Sequence, residues 1–519
     1  MTFDEIVYSP AGLSYIEMRD FRINVEHPPI FKYLVSLPIY ILGYKNDYSL
    51  RSWAGQNQIG LGKNFYFERD NLKSLNISRF STNISTVFLS ILFYVFVLKN
   101  FGKIEALLSL IFFIFYPDTI AQGSLATNDM YFSLFFFLFF STFYNYLKYK
   151  EKKFIYLATM FTSLSLLTKH TGLLIFPLYF ITLFYFLIKK KIKIMDVIKF
   201  LAILVLTAYF FIWAAYLFQN KVLIYGKISS SSILPAPYLE SLSVTKNLIS
   251  KRLSFFLGEI YIGSSKLFYP LSFLLKTPIS LLILVFLSFS RKVFKKTFVF
   301  WLVFLYFFIF SSISGLGFSH RYLLFIYPFV FIICGIVSKE LLKKLWDKIF
   351  LILLIGFYIF SFFKVFPYPL SYVNEFIKKE NTIFYFVDSN LDWGQGLIAL
   401  KNYCKKEKIK NIYLSYFGTA NPKKYGIEFT PLPSYYQELY YKEFYPKEIK
   451  IKKGSYLAIS ATNLVGLYQP VYFNKMFDLS NPEKIIAGCI FVFKSNGDYV
   501  FKKDEKSNVW NLEEIFVLK

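Results

Sequence analysis

The chain has 519 residues, of which 55% are hydrophobic and 22% aromatic, and its mean hydropathy is +0.44. A soluble domain does not expose that much apolar surface, so the composition excludes an ordinary soluble enzyme and predicts a polytopic membrane protein. The net charge of +26 lies mostly in lysine-rich loops and a lysine-rich tail, which argues against nucleic acid as a partner. Cys334, Cys404 and Cys489 lack metal-ligand spacing, and the sequence leaves open whether the last two pair.

The first segment, residues 1–79, carries two acidic motifs. Asp4-Glu5 and Glu26-His27 contain carboxylates of the kind that serve as a general base or as metal ligands. Pro28-Pro29 keeps His27 out of a helix and fixes the backbone beside it. An acidic juxtamembrane loop with a helix beginning at Pro28 is the structural alternative.

An apolar run at 31–43 is too short to cross a bilayer. At ~1.5 Å per residue it spans ~20 Å, against a hydrocarbon core of ~30 Å. It also contains Pro38. We therefore expect a juxtamembrane or half-membrane helix.

About ten longer apolar runs follow, most of them near the ~20 residues that a crossing requires. They are 80–98, 104–121, 130–147, 154–168, 172–188, 197–218, 271–289, 298–314, 321–337 and 347–366. The sequence thus predicts a transmembrane helical domain over 80–367.

Every second loop between these runs is rich in lysine or arginine. The basic loops contain Lys99/Lys103, Lys148–Lys153, Lys189–Lys193, Arg291–Lys296 and Lys339–Lys348. Such loops face the cytoplasm, so the intervening loops and everything after Pro367 are expected outside. Residues 1–79 then also lie outside, and we expect ~20 apolar residues encoded upstream, or a partner helix, to carry them across.

Charged residues beside or within the apolar runs are candidates for function. Asp129 lies at the outer end of a run, either as a helix N-cap or as a functional carboxylate. Lys169 and Lys276 stand in nearly unbroken apolar sequence and need a carboxylate or a lipid phosphate, unless they snorkel to the interface. His320-Arg321 opens another run, and arginine grips phosphate through two parallel hydrogen bonds.

The tail, 368–519, has a different pattern. Strands are predicted at 382–387, 411–417, 456–460 and 489–494, with a helix at 397–406, which indicates a small soluble α/β domain outside the membrane. A polar loop follows the first strand, where α/β domains often bind ligands, although a structural turn fits equally well. Its candidate residues are Asp388, Asn390, Asp392, Trp393 and Gln395.

These segments resemble the GT-C glycosyltransferases, specifically bacterial relatives of protein O-mannosyltransferases and of the lipid A aminoarabinose transferase. The segments that carry the resemblance are Asp4-Glu5, EHPPIFKYL (26–34), LATNDM (125–130), LSLLTKHTGLL (164–174), LLKTPISLL (274–282), SHRYLLFIYP (319–328), DSNLDWGQ (388–395), YFGTANPKKYGI (416–427) and SYLAISATNLVG (455–466). The resemblance extends over almost the whole chain, and EHPP and DSNLDWGQ are its most specific parts.

The resemblance implies a polytopic GT-C fold that uses a polyprenyl-phosphate-linked sugar. It implies catalytic carboxylates at Asp4 and Glu5, and places Glu26, His27 and Asp129 near the acceptor or a divalent cation. It implies lipid-phosphate contacts by a basic set. That set is Lys169, Lys276, His320 and Arg321.

We therefore expect an integral glycosyltransferase of the cell (inner) membrane, mannosyltransferase-like, whose acceptor is a protein hydroxyl, a lipid or a glycan on the outer face. The alternatives are a transporter and a non-catalytic assembly subunit with an outer receptor domain, because buried lysines also occur in transporters. Transporters often carry inverted repeats and broken helices at mid-depth, whereas the polar residues here cluster at one face.

Fusions to alkaline phosphatase test the predicted sidedness. Because the enzyme is active only outside the cytoplasm, we expect activity when it is fused after Lys406 and none when it is fused after Lys153. Activity confined to the Lys153 fusion would overturn the topology.

Overall fold

The computed structural model describes residues 1–224, 226–313, 317, 319–468, 473–503 and 510–514. The last residue of the predicted span 298–314 lies outside these ranges. Helices make up most of the chain as far as residue 365, and the larger sheets follow residue 411.

Seven helices in the described part are long and apolar enough to cross a membrane. They are Leu72–Asn100, Asn128–Tyr149, His170–Ile188, Ile194–Ala215, Arg291–Ile313, His320–Leu341 and Leu345–Val365. The protein is therefore a multi-pass membrane protein. The predicted run 154–168 forms the helix Lys153–Leu166, which at 14 residues is shorter than a usual span.

Two further predicted runs form bent helix pairs, which brings the spans to nine if each pair counts as one. Lys103–Ile114 meets Pro117–Gly123 at 65°, and Phe268–Lys276 meets Ile279–Leu287 at 110°. A proline lies at each break and cannot donate the hydrogen bond that would continue the helix. At the sharper break, the Asn374 side-chain amide donates to the Leu274 and Thr277 carbonyls, at 2.6 and 2.9 Å.

The first segment folds into short helices against the spans. Glu5–Glu17, Ile30–Ile41, Arg51–Ala54 and Gln58–Lys63 are α-helices, and Asn64–Glu68 is a π-helical turn. The short helix expected near 31–43 is confirmed, with Pro38 inside it. The first two helices cross at Gly12, where a Cβ would lie 2.3 Å from the Lys32 carbonyl oxygen, so only glycine fits.

The long segment between Ala215 and Phe268 combines two hairpins and a helix. The hairpins pair Lys221–Ile224 with Lys227–Ser230, and Leu253–Phe256 with Glu259–Ile262. The helix Ala236–Lys251 lies between them in sequence.

The C-terminal region contains two sheets. The larger has the strand order Phe429–Pro431, Ile412–Ser415, Tyr456–Ser460, Ile490–Lys494 and Lys484–Ile486. The smaller has the order Trp510–Glu514, Tyr499–Lys503 and Glu448–Ile451. Three predicted strands and the helix Leu397–Lys406 are confirmed. Cys404 and Cys489 are both free thiols.

The predicted strand at 382–387 is wrong. This segment contains a 3₁₀ helix, Lys379–Phe384, and Phe386 packs against the rings of Phe256 and Phe268. A short apolar run buries its side chains equally well in a strand or in a helical turn, so periodicity does not separate the two.

The basic loops contact one another. Lys148 donates to the Asn100 side chain at 2.9 Å, and Lys296 pairs with Glu340 at 2.9 Å. The ammonium groups of Lys150 and Lys191 lie over the same ring, that of Phe186. The first three loops that the sequence assigns to the cytoplasm are thus neighbours, and so are the last two.

Candidate active site

A cavity of about 430 Å³ lies between the first segment, the starts of two spans and the segment that follows Ala236. Its polar lining residues are Asp4, Tyr8, Asn24, Glu26, His27, Gln58, Lys169, His170, Thr171, Thr245, Arg252, Tyr269, Ser311, Arg321 and Tyr322. Its apolar lining residues are Phe3, Val7, Ile59, Leu173, Leu174, Leu248, Ile249 and Phe310. The cavity therefore joins a charged wall to an apolar one.

Asp129 holds two cations in place. Its Oδ1 accepts a hydrogen bond of 2.8 Å from the Lys169 ammonium, and its Oδ2 lies 3.6 Å from Nη1 of Arg321. The N-cap interpretation is wrong, because the helix begins at Asn128 after Thr127, and Asp129 lies within the first turn. A carboxylate there is stabilised by the helix dipole and by both cations.

Both cations lie at the beginnings of short 3₁₀ helices that open two of the spans. Lys169 immediately precedes the 3₁₀ helix His170–Leu174, and Arg321 is the second residue of His320–Ile326. The Tyr322 ring lies beneath both, with its centroid 4.0 Å from the Lys169 nitrogen and 5.3 Å from the Arg321 guanidinium carbon. The tyrosine face adds a cation–π attraction that favours both charges.

Asp4 faces the cavity across from these cations. Its Oδ2 accepts hydrogen bonds of 3.2 Å from the Tyr8 hydroxyl and 3.4 Å from Nη2 of Arg321. Among the described residues, none donates to Oδ1. Asp4 is therefore a carboxylate with one oxygen held and the other available to an incoming proton.

Glu5, predicted beside Asp4 as catalytic, lies outside the cavity. Both of its oxygens pair with the Arg79 guanidinium at 2.8 and 2.6 Å, and the Thr2 and Ala126 amides also donate to it. Burial opposes the charge, but Arg79 and the Thr2 amide lower the pKa to about 2. Successive helical residues point ~100° apart, so Asp4 and Glu5 face different surroundings.

Glu26 and His27 line a second polar wall. Glu26 Oε1 accepts from the side-chain amides of Asn24 at 2.7 Å and Gln58 at 3.5 Å, and burial raises its pKa. Burial lowers the pKa of His27, helped by the positive charge of Lys32. Lys32 donates to the backbone carbonyl of His27 at 2.7 Å and so fixes the Glu26-His27 turn.

The metal set expected from the sequence does not fit. No group of three His, Cys, Asp or Glu side chains in the described residues is arranged to hold an ion. Asp129 is engaged by Lys169 and Arg321, whereas Glu26 is held by two amides. The geometry provides no divalent-cation site on Glu26, His27 and Asp129.

Lys276 and His320, predicted on the lipid phosphate, lie in a buried cluster away from the cavity. Lys276 donates to the carbonyls of Leu370 and Asn390 at 3.0 and 2.6 Å and lies 3.9 Å from Asp118. The His320 ring contacts the hydroxyls of Tyr116, Tyr327 and Ser272. The Lys276 ammonium and the His320 ring thus interact with partners inside the protein. An isolated Lys or His in a sequence does not reveal such partners.

The loop 388–395 joins the C-terminal region to the spans. The Asn390 side chain accepts from the His320 amide at 2.7 Å, and Asp388 pairs with Arg252 at 3.4 Å. Asp392 accepts from the Thr462 and Gly394 amides, and its burial raises its pKa to about 7.

Trp393 and Gln395 complete this loop. The Trp393 ring lies 3.9 Å from the Arg321 guanidinium, and Gln395 accepts from the Trp393 amide at 2.7 Å. The loop thus contacts two cations that line the cavity, Arg321 through Trp393 and Arg252 through Asp388.

Several lining residues were missed from sequence. Arg252 follows the helix Ala236–Lys251 in a polar stretch where a basic residue gives no signal. His170 bonds Ser241 at 2.7 Å, and a histidine that directly follows Lys169 gives no separate signal in the sequence. Tyr8 had a usable signal, because a residue four positions after Asp4 lies on the same helix face.

A family model for dolichyl-phosphate-mannose-protein mannosyltransferases matches residues 1–224. The match covers less than half of the chain. No curated protein sequence matches it. The matched region contains Asp4, Asp129 and Lys169, whereas Arg321 and the C-terminal region of the chain lie beyond it.

Two solved structures are similar to this chain, both of ArnT from Cupriavidus metallidurans. The one bound to undecaprenyl phosphate has 13% identity and a TM-score of 0.43, over 71% of this chain and 60% of that one. The apo structure has 11% identity and a TM-score of 0.45, over 94% and 93% of the two chains.

Lys276→Met tests the buried cluster. Removing the ammonium leaves Asp118 and two carbonyls without their partner, which typically costs about 3–5 kcal/mol. We expect a clear fall in melting temperature of the detergent-solubilised protein. The control, Lys296→Met, breaks an exposed pair worth at most about 1 kcal/mol. Equal melting temperatures for the two variants would contradict a structural role for Lys276.

Proposed function

We propose that this protein transfers a sugar from a polyprenyl-phosphate donor to an acceptor on the extracytoplasmic face of the cell membrane. The observation that carries the proposal is one cavity in which Asp4 faces the Lys169–Asp129–Arg321 cluster, at the starts of two membrane spans. The family match over residues 1–224 supports the same reaction class.

The cavity suits an amphipathic donor. Arginine binds phosphate oxygens through its fork and lysine acts as a point charge, so Arg321 and Lys169 are the phosphate-binding candidates. Leu173, Leu174 and Phe310 line the same cavity and belong to membrane spans. An isoprenoid chain would be accommodated along this apolar wall while the phosphate meets the cations.

The reaction is a single displacement at the anomeric carbon. The acceptor oxygen forms the new bond to that carbon as the bond to the phosphate oxygen breaks. The acceptor proton passes to Asp4, and the electron pair of the broken bond remains on the departing polyprenyl phosphate. Lys169 and Arg321 stabilise the charge that develops on the leaving phosphate.

The acceptor side is assigned to the wall formed by Glu26 and His27. Asn24, Gln58 and Glu26 provide amide and carboxyl groups that hydrogen-bond hydroxyls. This chemistry suits the hydroxyl of a protein, a lipid or a glycan, and it also suits the hydroxyls of the donor sugar.

The basic loops support an outward-facing site. Lys169 and Arg321 lie at the starts of two spans whose other ends lead into basic loops, and Asp4 lines the same cavity as these two cations. Basic loops stay in the cytoplasm, so the cavity and the C-terminal domain, 368–519, are proposed to face outward from the inner membrane.

Asp4→Asn tests the proposed base. The amide keeps the shape but cannot take a proton, so we expect a fall in turnover of about 10²–10⁴-fold with donor affinity retained. The measurement is release of undecaprenyl phosphate from synthetic undecaprenyl-phosphate-mannose in membranes that contain the protein and its native acceptor.

Asp47→Asn is the matched control, because Asp47 belongs to the first segment, lies outside the cavity and accepts hydrogen bonds from Ser49. Near-wild-type turnover of Asp4→Asn would rule out this base.

Arg321→Gln tests the proposed phosphate contact. Loss of a charge-assisted hydrogen bond costs about 1.5–3 kcal/mol, so we expect binding of undecaprenyl phosphate to weaken about 10–100-fold. Lys152→Gln removes one positive charge from a basic loop and should leave the affinity unchanged. Equal affinities for the two variants would remove Arg321 from the donor site.

A further inference from the structure

The residue before Asp4 makes four contacts with the C-terminal domain. The Phe3 amide donates to the Trp393 carbonyl at 2.8 Å, and the Thr419 hydroxyl donates to the Phe3 carbonyl at 2.8 Å. The Phe3 ring stacks on Phe417 at 5.2 Å and meets Tyr436 edge-on at 4.7 Å. The backbone that leads into Asp4 is therefore fixed from the other end of the chain.

The same domain contacts the phosphate-binding candidate. The Trp393 ring lies 3.9 Å from the guanidinium carbon of Arg321, on a side chain that Asp129 and Asp4 also engage. Stacking restrains a planar guanidinium and leaves its hydrogen-bonding edge free for a ligand. Trp393 thus contacts both halves of the site, through its carbonyl and through its ring.

Trp393 is itself held tightly. The Gln395 side chain accepts from the Trp393 amide at 2.7 Å and donates to the Leu391 carbonyl at 2.9 Å. The next residue, Gly394, has a φ of +83°, which glycine adopts without strain, and its carbonyl accepts from Tyr416 at 2.6 Å. A loop fixed at this many points can set the place of the groups that it contacts.

We propose that the C-terminal domain positions the reacting groups, with Thr419 a positioning residue for Asp4 and Trp393 a positioning residue for Arg321. The roles of Asp4 and Arg321 rest on the proposed function, whereas the contacts made by Thr419 and Trp393 do not. The membrane spans, the first segment and the C-terminal domain then form one active site.

Thr419→Val tests the positioning of Asp4, the first arm of the proposal, because valine keeps the shape of threonine and removes the hydroxyl. In hydrogen-exchange mass spectrometry of the full chain in detergent, we expect faster exchange in the peptide containing Phe3 and Asp4. A base displaced by a fraction of an ångström should lower kcat about tenfold. Affinity for undecaprenyl phosphate should not change, since Arg321 is untouched.

Trp393→Leu tests the second arm. We expect it to weaken undecaprenyl phosphate binding about tenfold, a value between those of an exposed and a desolvated cation–π contact. Trp393→Phe keeps an aromatic face and should recover part of that loss. Thr430→Val is the control. Thr430 lies in the same domain, and its hydroxyl accepts a hydrogen bond from the Asn411 side chain at the surface.

The two arms separate positioning from folding and from the proposed function. Unchanged exchange in Thr419→Val, or undiminished lipid affinity in Trp393→Leu, overturns the corresponding assignment. If Trp393→Leu does not fold, a loss of affinity in Trp393→Phe supports the second arm and an unchanged affinity overturns it. If the wild-type chain releases no undecaprenyl phosphate from the donor, the proposed function fails, while exchange and lipid binding still decide the positioning.

Discussion

A single buried carboxylate organises the cavity. Asp129 holds Lys169 and Arg321 from two different spans, and the penalty for burying either cation alone would be several kcal/mol. The arrangement leaves the cluster with one excess positive charge before Asp4 is counted. A charge balance of this kind suits an anionic group that enters and leaves, because the cations stay paired when the ligand is absent.

The sequence predicted those site residues whose charge is energetically unfavourable beside or within a membrane span. Lys169 and Arg321 stand out because an uncompensated charge in an apolar run needs a partner, and the structure brings both to Asp129. The same rule selected Lys276, whose partners are instead Asp118 and two backbone carbonyls. Burial of a charge is visible in a sequence, whereas the identity of its partner depends on the fold.

Other features had no local signal. Asp4 and Glu5 are adjacent carboxylates that face different sides of the first helix turn. Glu5 is structural because it pairs with Arg79, which lies far along the chain. Arg252 lies in polar sequence and reaches the cavity only because the segment after Ala236 folds over it. The spans were predicted well since their length and composition are set by the bilayer, but the 110° bend and the 3₁₀ helix at 379–384 depend on tertiary packing.

The bend between Phe268–Lys276 and Ile279–Leu287 has a consequence for biogenesis. The Leu274 and Thr277 carbonyls are exposed by the break and are satisfied by Asn374, which is synthesised about a hundred residues later. During membrane insertion these carbonyls need water or lipid headgroups as partners until the polypeptide beyond the last span has been synthesised. Packing of the segment around Asn374 against the break therefore completes this span, and a chain truncated before Asn374 would present to quality-control proteases a span with two unpaired carbonyls.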